Sequence, residues 1–222
     1  MQVRLISYSQ PAHDFFAETQ MSTLEDLVAY AARVSNPSNQ MNKETASKLI
    51  RYLINNQHWS PLEMVSATLE ITTTRDIARQ ILRHRSFSFQ EFSQRYADPT
   101  QMEFERKEAR LQDTKNRQNS IPTDDATLAE TWNIMQDEAL THALKAYDWA
   151  LQNGIAKEQA RAVLPEGMTA SRMYMSGTLR SWVHYIQLRS ANGTQKEHQD
   201  IAIACAKELA QVFPLITELT GE

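Results

Sequence analysis

Five arginines, Arg75, Arg79, Arg83, Arg85 and Arg95, crowd one short stretch that is broken by His84 and by Phe87, Phe89, Phe92 and Tyr96. Guanidinium groups grip phosphate oxygens bidentately, so this concentration suits the phosphate of a mononucleotide. The plain alternative is a solvated helix face followed by an aromatic strand. Two features favour an anion. Arg83-His84-Arg85 puts three cations in a row at a helix end, where the helix dipole offsets only about 0.3–1 kcal/mol per charge. If the next segment is extended, Phe87, Phe89, Glu91, Ser93 and Arg95 fall on one face and present an acid, a hydroxyl and a guanidinium together. Gly154, Gly167, Gly177, Gly193 and Gly221 lie too far apart for a dinucleotide fingerprint or a P-loop. A phosphorylated ligand must therefore be held by arginines, hydroxyls and helix ends.

The elements that position these groups follow from periodicity. Val3 to Tyr8 reads as a strand; Leu24, Leu27, Val28 and Ala31 mark a helix that stops near Asn36-Pro37, and Thr45 to Ile54 marks another. Ser60-Pro61-Leu62-Glu63 is a helix-start signature, followed at once by alternating Val65, Ala67, Leu69 and Ile71, a strand with one apolar face. Thr74 is placed to cap a helix carrying Ile77, Ile81 and Leu82 inward, and Ser86 to Tyr96 returns as an extended segment. Residues 97–125 are polar and aperiodic, a loop or insertion of the kind that covers a site. Ala126 to Asn153 predicts a long helix, Lys157 to Leu164 a short one, and Thr169 to Gly177 a strand. Thr178 caps a helix to about Arg189, and a last helix runs from Gln195 to Phe213. The fold class is α+β: a single domain over 1–222, with a mainly antiparallel sheet packed against several α-helices.

Composition excludes several functions. With 41% hydrophobic and 23% charged residues the chain is ordinary globular material, and no apolar run approaches the ~18–20 residues of a membrane-spanning helix. Met1-Gln2-Val3-Arg4-Leu5 lacks the form of a signal peptide, and a lone Cys205 excludes an internal disulfide and favours the cytoplasm. A net charge of −4 argues against bulk electrostatic binding of nucleic acid.

Four motifs stand in order along the chain. Arg83-His84-Arg85, seven intervening residues, then Ser93-Gln94-Arg95-Tyr96, resembles the R-H-R-x7-S signature of flavin-dependent thymidylate synthases. His58-Trp59-Ser60-Pro61-Leu62-Glu63 is similar to that family's H-x-[ST]-P-x-E element, and Arg161-Ala162-Val163-Leu164-Pro165 to its R-x-x-L-P segment. Gly177-Thr178-Leu179-Arg180 through Leu188-Arg189 resembles its C-terminal element. Met64 stands where histidine is common, and Thr178 and His184 where asparagines are common.

The resemblance implies reductive methylation of dUMP to dTMP, with 5,10-methylenetetrahydrofolate as carbon donor and FADH2, regenerated by NADPH, as reductant. It also implies a homotetramer with each site shared between subunits, FAD as cofactor, and neither a metal nor an enzyme nucleophile. Carried over, Gln80, Ile81, Leu82, Arg83, Glu91, Phe92, Ser93, Gln94, Arg95, Arg161 and Arg189 surround dUMP, with Arg95 and Arg161 on the phosphate. His58, Ser60, Arg83, His84, Arg85, Glu91, Thr178, Leu179, Arg180 and His184 surround FAD. Arg189 is the implied catalytic group: a guanidinium beside uracil stabilises the anion formed at N3 and makes C5 more nucleophilic.

Cys205 shares a helical stripe with Ile201, Ala202, Leu209 and Val212 and reads as core packing rather than as a nucleophile. Two other functions remain open at this stage. The arginine and aromatic stretch could form a single-stranded nucleic-acid groove. Alternatively, Glu105 and Glu108, or Asp124 and Asp125, could serve a metal-dependent nucleotide hydrolase.

Overall fold

The computed structural model describes residues 1–219. Strand β1 (Gln2–Tyr8) leads into α1 (His13–Thr19), α2 (Leu24–Ala32) and α3 (Ala46–Asn55). Strand β2 (Ser66–Thr74) runs directly into α4 (Arg75–Ile81), and β3 (Ser88–Glu91) follows. Residues 97–125 contain the small hairpin β4 (Arg110–Gln112) and β5 (Ser120–Pro122). Then come α5 (Ala126–Gln152), α6 (Lys157–Ala160), β6 (Ala170–Thr178), α7 (Leu179–Arg189) and α8 (Lys196–Leu209). The main sheet has the order β1-β2-β6-β3, with every pairing antiparallel.

Alternation explains the central strands. On β2, Ala67, Leu69, Ile71 and Thr73 are buried; on β6, Met173 and Met175 are fully buried while Arg172 and Tyr174 face outward. Helices α7 and α8 cover the apolar face with Trp182, Val183, Tyr185, Ile186, Ile201, Ala202, Cys205 and Leu209, and α4 adds Ile77, Ala78 and Ile81. Each fully buried aliphatic or aromatic side chain contributes about 1.5–3 kcal/mol. Thr178 ends β6 and begins α7 in the same residue: its hydroxyl accepts from the Ser181 backbone N–H at 3.3 Å.

The structure departs from expectation in five places, one being the last helix, which ends at Leu209 and not at Phe213. Helix α1 was not anticipated; it buries no residue and so carries no apolar stripe. Thr74 sits at the α4 N-cap, but its hydroxyl donates to Asp76 and accepts from Lys107 Nζ instead of capping. The 157–164 helix is α6 followed by a tighter turn over Arg161–Val163. The extended segment after Phe87 stops at Glu91: past the Phe92 N–H bond to Arg172, the Ser93 carbonyl accepts from Tyr96 (3.1 Å) and Ala97 (2.9 Å). The chain therefore turns, and Ser93 and Arg95 do not continue the face of Glu91. No helix among the described residues is long and apolar enough to cross a membrane.

Candidate active site

The candidate residues gather in three groups. The first lies between α4 and α7. Burial of Ile77, Ala78 and Ile81 orients α4, leaving Gln80 half-exposed, and Leu82 closes the helix. The chain then turns, with the His84 N–H on the Ile81 carbonyl at 3.0 Å and Phe87 buried 4.8 Å from the Trp182 ring. This delivers His84 onto α7, its ring edge-on to Tyr185 at 4.9 Å. Arg189 donates its Nε–H to His84 Nε2 at 2.9 Å. Burial, then the Arg189 charge, lowers the His84 pKa to about 4, so the ring is neutral and accepts. The expected row of three cations is thus two, Arg83 and Arg85. Among the described residues neither makes an ion pair or side-chain hydrogen bond, and both are exposed.

The second group joins the short turn Ser60–Glu63 to α7. The Trp59 and His184 rings meet edge-on at 4.4 Å, and Arg180 ion-pairs with Glu63. Burial and Arg180 lower the His184 pKa. Ser60 begins a four-residue 3-10 turn, short because strand β2 follows at once, and its side chain caps nothing; it is exposed, as is His58. The Thr178 hydroxyl is committed to capping α7, and Leu179 is fully buried with its N–H on the Val65 carbonyl at 3.0 Å.

The third group follows β3. Glu91 accepts from the Ser171 hydroxyl at 2.7 Å and faces Arg75 at 3.8 Å. Ser93, Arg95 and Tyr96 line a cavity of about 530 Å³ with Ala156, Lys157 and Glu158. Arg95 lies 3.6 Å from the Glu158 carboxylate, while Arg161 donates to the Glu158 carbonyl at 3.3 Å. Arg95 thus faces the Glu158 side chain while Arg161 holds the backbone of the same residue. Phe92 is half-buried; Gln94 is 4% exposed and its Nε2 has no partner among the described residues. A buried donor left unpaired is costly and calls for an acceptor.

Helix phase separates the first two groups. At about 100° per residue, Arg180 and His184 share a side of α7, whereas Arg189 lies about 180° around the axis from Arg180. The two sets thus leave α7 from opposite sides. The donor set fits a flavin dinucleotide: among the described residues Arg83 and Arg85 have no acid to neutralise them, and Ser60 and His184 are open to solvent.

A family model described as "Thymidylate synthase complementing protein" matches residues 18–215. A protein of Paramecium bursaria Chlorella virus 1, named "Probable flavin-dependent thymidylate synthase", is 48% identical over 98% of each chain. The chain belongs to the flavin-dependent thymidylate synthase family. A flavin-dependent thymidylate synthase of Synechocystis sp. is 47% identical over 97% of each chain. Among solved structures, a UMP/dUMP methylase from Streptomyces cacaoi bound with 5-Br dUMP superposes with a TM-score of 0.77 at 26% identity, covering 98% of this chain and 93% of that one.

Several residues of this family member were not singled out as site residues from sequence. Glu63, Glu158 and Trp59 emerge as partners of Arg180, Arg95 and His184. Tyr185 and His198 stand behind Gln80 and His84. A signal for His198 existed: it extends the stripe of Ile201, Ala202, Cys205 and Leu209 backwards by one helical step. Cys205 is fully buried, and burial raises its thiol pKa far above the usual value, which deprives it of nucleophilic character. Of the acids considered for a metal, Glu105 pairs with the N-terminal amine, Glu108 with Arg110, and Asp125 caps α5; with Asp124 they form no cluster of three or more potential metal ligands among the described residues.

Proposed function

We propose that the protein methylates dUMP reductively to dTMP, taking the carbon from 5,10-methylenetetrahydrofolate and using NADPH to regenerate FADH2. The observation that carries this reading is the Arg189–His84 pair. A neutral imidazole accepts the Nε–H of Arg189, which fixes the guanidinium plane and leaves its two terminal nitrogens for a ligand. Against uracil, that guanidinium stabilises negative charge as N3 ionises, and C5 becomes the nucleophile. Bound FAD, as FADH2, supplies the reducing equivalents.

The remaining roles follow from position. Arg95 and Arg161 hold the dUMP phosphate, which replaces Glu158 as the partner of Arg95. Gln80, Ile81, Leu82, Arg83, Glu91, Phe92, Ser93 and Gln94 line the nucleoside, with the Gln94 amide supplying its unused donor. His58, Ser60, Arg83, His84, Arg85, Glu91, Thr178, Leu179, Arg180 and His184 hold FAD through cations, helix-end N–H groups and apolar backing. Ser93 has no neighbouring base bonded to it, and Cys205 is buried, which supports a reaction without an enzyme nucleophile.

A homotetramer with shared sites accounts for two features. Arg180 and Arg189 face opposite sides of α7, so one site draws them from different copies. Helix α5 also exposes Leu128, Ile134, Met135 and Trp149, an apolar surface suited to burial against another copy.

The test is direct. The purified protein is expected to be yellow, to change its flavin absorbance on addition of dUMP, and to form dTMP when methylenetetrahydrofolate and NADPH are supplied. A colourless protein that forms no dTMP after loading with FAD overturns the assignment.

A further inference from the structure

His198 is the only buried histidine among the described residues, and the motifs leave it without a role. It lies at the centre of a chain of side chains whose hydrogen-bond direction can be worked out from one end. Glu197 is a carboxylate and only accepts, so the contact of Gln195 Nε2 with Glu197 Oε2 at 2.9 Å orients the Gln195 amide. Gln195 Oε1 then faces Gln80 and accepts from Gln80 Nε2 at 2.8 Å. That turns Gln80 Oε1, an acceptor, toward His198 Nδ1 at 3.2 Å, so the imidazole proton must sit on Nδ1. Nε2 is then a lone pair and accepts from the Tyr185 hydroxyl at 3.2 Å.

Every link agrees with the charge states of the buried groups. Burial raises the Tyr185 pKa, so its hydroxyl keeps its proton; burial lowers that of His198 to about 3, so the ring is neutral. Rotating the Gln80 amide by half a turn would set oxygen against oxygen at Gln195, and N–H against N–H at His198 unless the ring proton moved to Nε2 and the Tyr185 hydroxyl turned to accept it. The rotated amide therefore loses the bond to Gln195 and keeps the one to His198 only through that shift of proton. After both internal bonds, Gln80 retains one N–H and one carbonyl lone pair, and it is half-exposed.

We propose that His198 is a positioning residue for nucleotide binding: through its Nδ1–H it locks the Gln80 amide in one orientation, so that dUMP meets a donor and an acceptor in a set order. This rests on the assignment of Gln80 to dUMP made above.

The test compares His198→Leu, His198→Asn, Tyr185→Phe and Gln80→Leu in the flavin-loaded protein. It reads flavin content, thermal midpoint, dUMP Kd by calorimetry, and kcat and KM. His198→Leu is expected to raise dUMP Kd and KM roughly tenfold, with flavin content kept and kcat within about twofold. His198→Asn, whose amide N–H lies near the position of Nδ1, is expected to restore most of the affinity. Tyr185→Phe removes the hydrogen-bond partner that holds the other side of the imidazole and is expected to cost roughly threefold. Combined with Gln80→Leu, His198→Leu should add no further loss.

A His198→Leu protein with native dUMP affinity, or a folded Asn variant no better than Leu, refutes the proposal. If His198→Leu does not fold, unchanged affinity in Tyr185→Phe refutes it alone. Native affinity in Gln80→Leu removes the underlying placement of Gln80 and the proposal together. A weakened Gln80→Leu beside a native His198→Leu removes the proposal and leaves that placement intact.

Discussion

The Nε–H of Arg189 rests on Nε2 of His84 at 2.9 Å, and this bond joins the last turn of α7 to the turn that follows α4. The two residues lie 105 positions apart in the chain. A protonated His84 could not accept that bond, and two adjacent cations would repel. Burial and the guanidinium charge keep the imidazole neutral to about pH 4, so the pair persists through neutral pH.

Replacing Arg189 with Ala should leave flavin content within about twofold of native and lower dTMP formation by about a hundredfold or more, as loss of a stabilising donor commonly does. His84→Asn retains an acceptor and should lose less than His84→Leu. Steady-state turnover with absorbance at the flavin band separates the two effects. An Arg189→Ala protein with native turnover would remove the activating group from the mechanism.

Acid should destabilise the fold through the two histidines whose pKa values are held low, buried His198 and half-exposed His84. His84 and His198 have folded pKa values of about 4 and about 3, below the ~6.5 of an unfolded histidine. Between those values the unfolded chain binds more protons, so stability is complete above pH ~6.5 and falls as pH drops toward 4. Allowing for solvent screening, His198 should contribute about 1 kcal/mol of the loss by pH 5, and half-exposed His84 less. Urea unfolding at pH 7 and pH 5 measures this, and His198→Leu should flatten the dependence.

The Arg180–Glu63 ion pair is exposed, with side chains 43% and 38% accessible, so it should contribute only about 0–1 kcal/mol to stability. Arg180→Ala should leave the thermal midpoint almost unchanged while reducing retained flavin severalfold. Glu63→Gln releases Arg180 from its internal partner and should keep or raise flavin affinity. Flavin titration by fluorescence quenching distinguishes these directions; equal flavin loss in both variants would argue for a purely structural pair.

Gly177 faces the Phe87 ring so closely that a Cβ there would sit 2.7 Å from Cε1. Phe87 cannot retreat freely, because Trp182 and Tyr185 pack against it at 4.8 and 6.0 Å. Gly177→Ala should therefore destabilise by about 1–3 kcal/mol through overpacking. Adding Phe87→Leu should recover part of that loss in denaturant melts, which a backbone effect at position 177 would not allow.

Sequence periodicity carried the central architecture because burial there is one-sided. The alternation of β2 and the stripe of α8 are direct imprints of the core, and Thr178 announces the start of α7 by its chemistry. Helix α1 left no imprint because it buries nothing. The turn at Ser93–Tyr96 escaped because aromatic and polar residues alternate there as they would in a strand. What stops the strand is the Ser93 carbonyl being claimed by Tyr96 and Ala97. The candidate residues could be named from their motifs, but their partition into three groups could not. It depends on which side of α7 each residue faces and on acids such as Glu63 and Glu158, whose partners are distant in sequence.

Because Thr178 closes β6 and opens α7 without an intervening loop, the helix has no slack of its own. Arg180, His184 and Arg189 turn as one body with an inner strand of the sheet. Adding one residue at the junction would swing all three by about 100° and advance them about 1.5 Å. Length changes in this protein are better absorbed in 97–125, where the chain departs from the sheet, than at a joint that acts as a fixed lever between framework and chemistry.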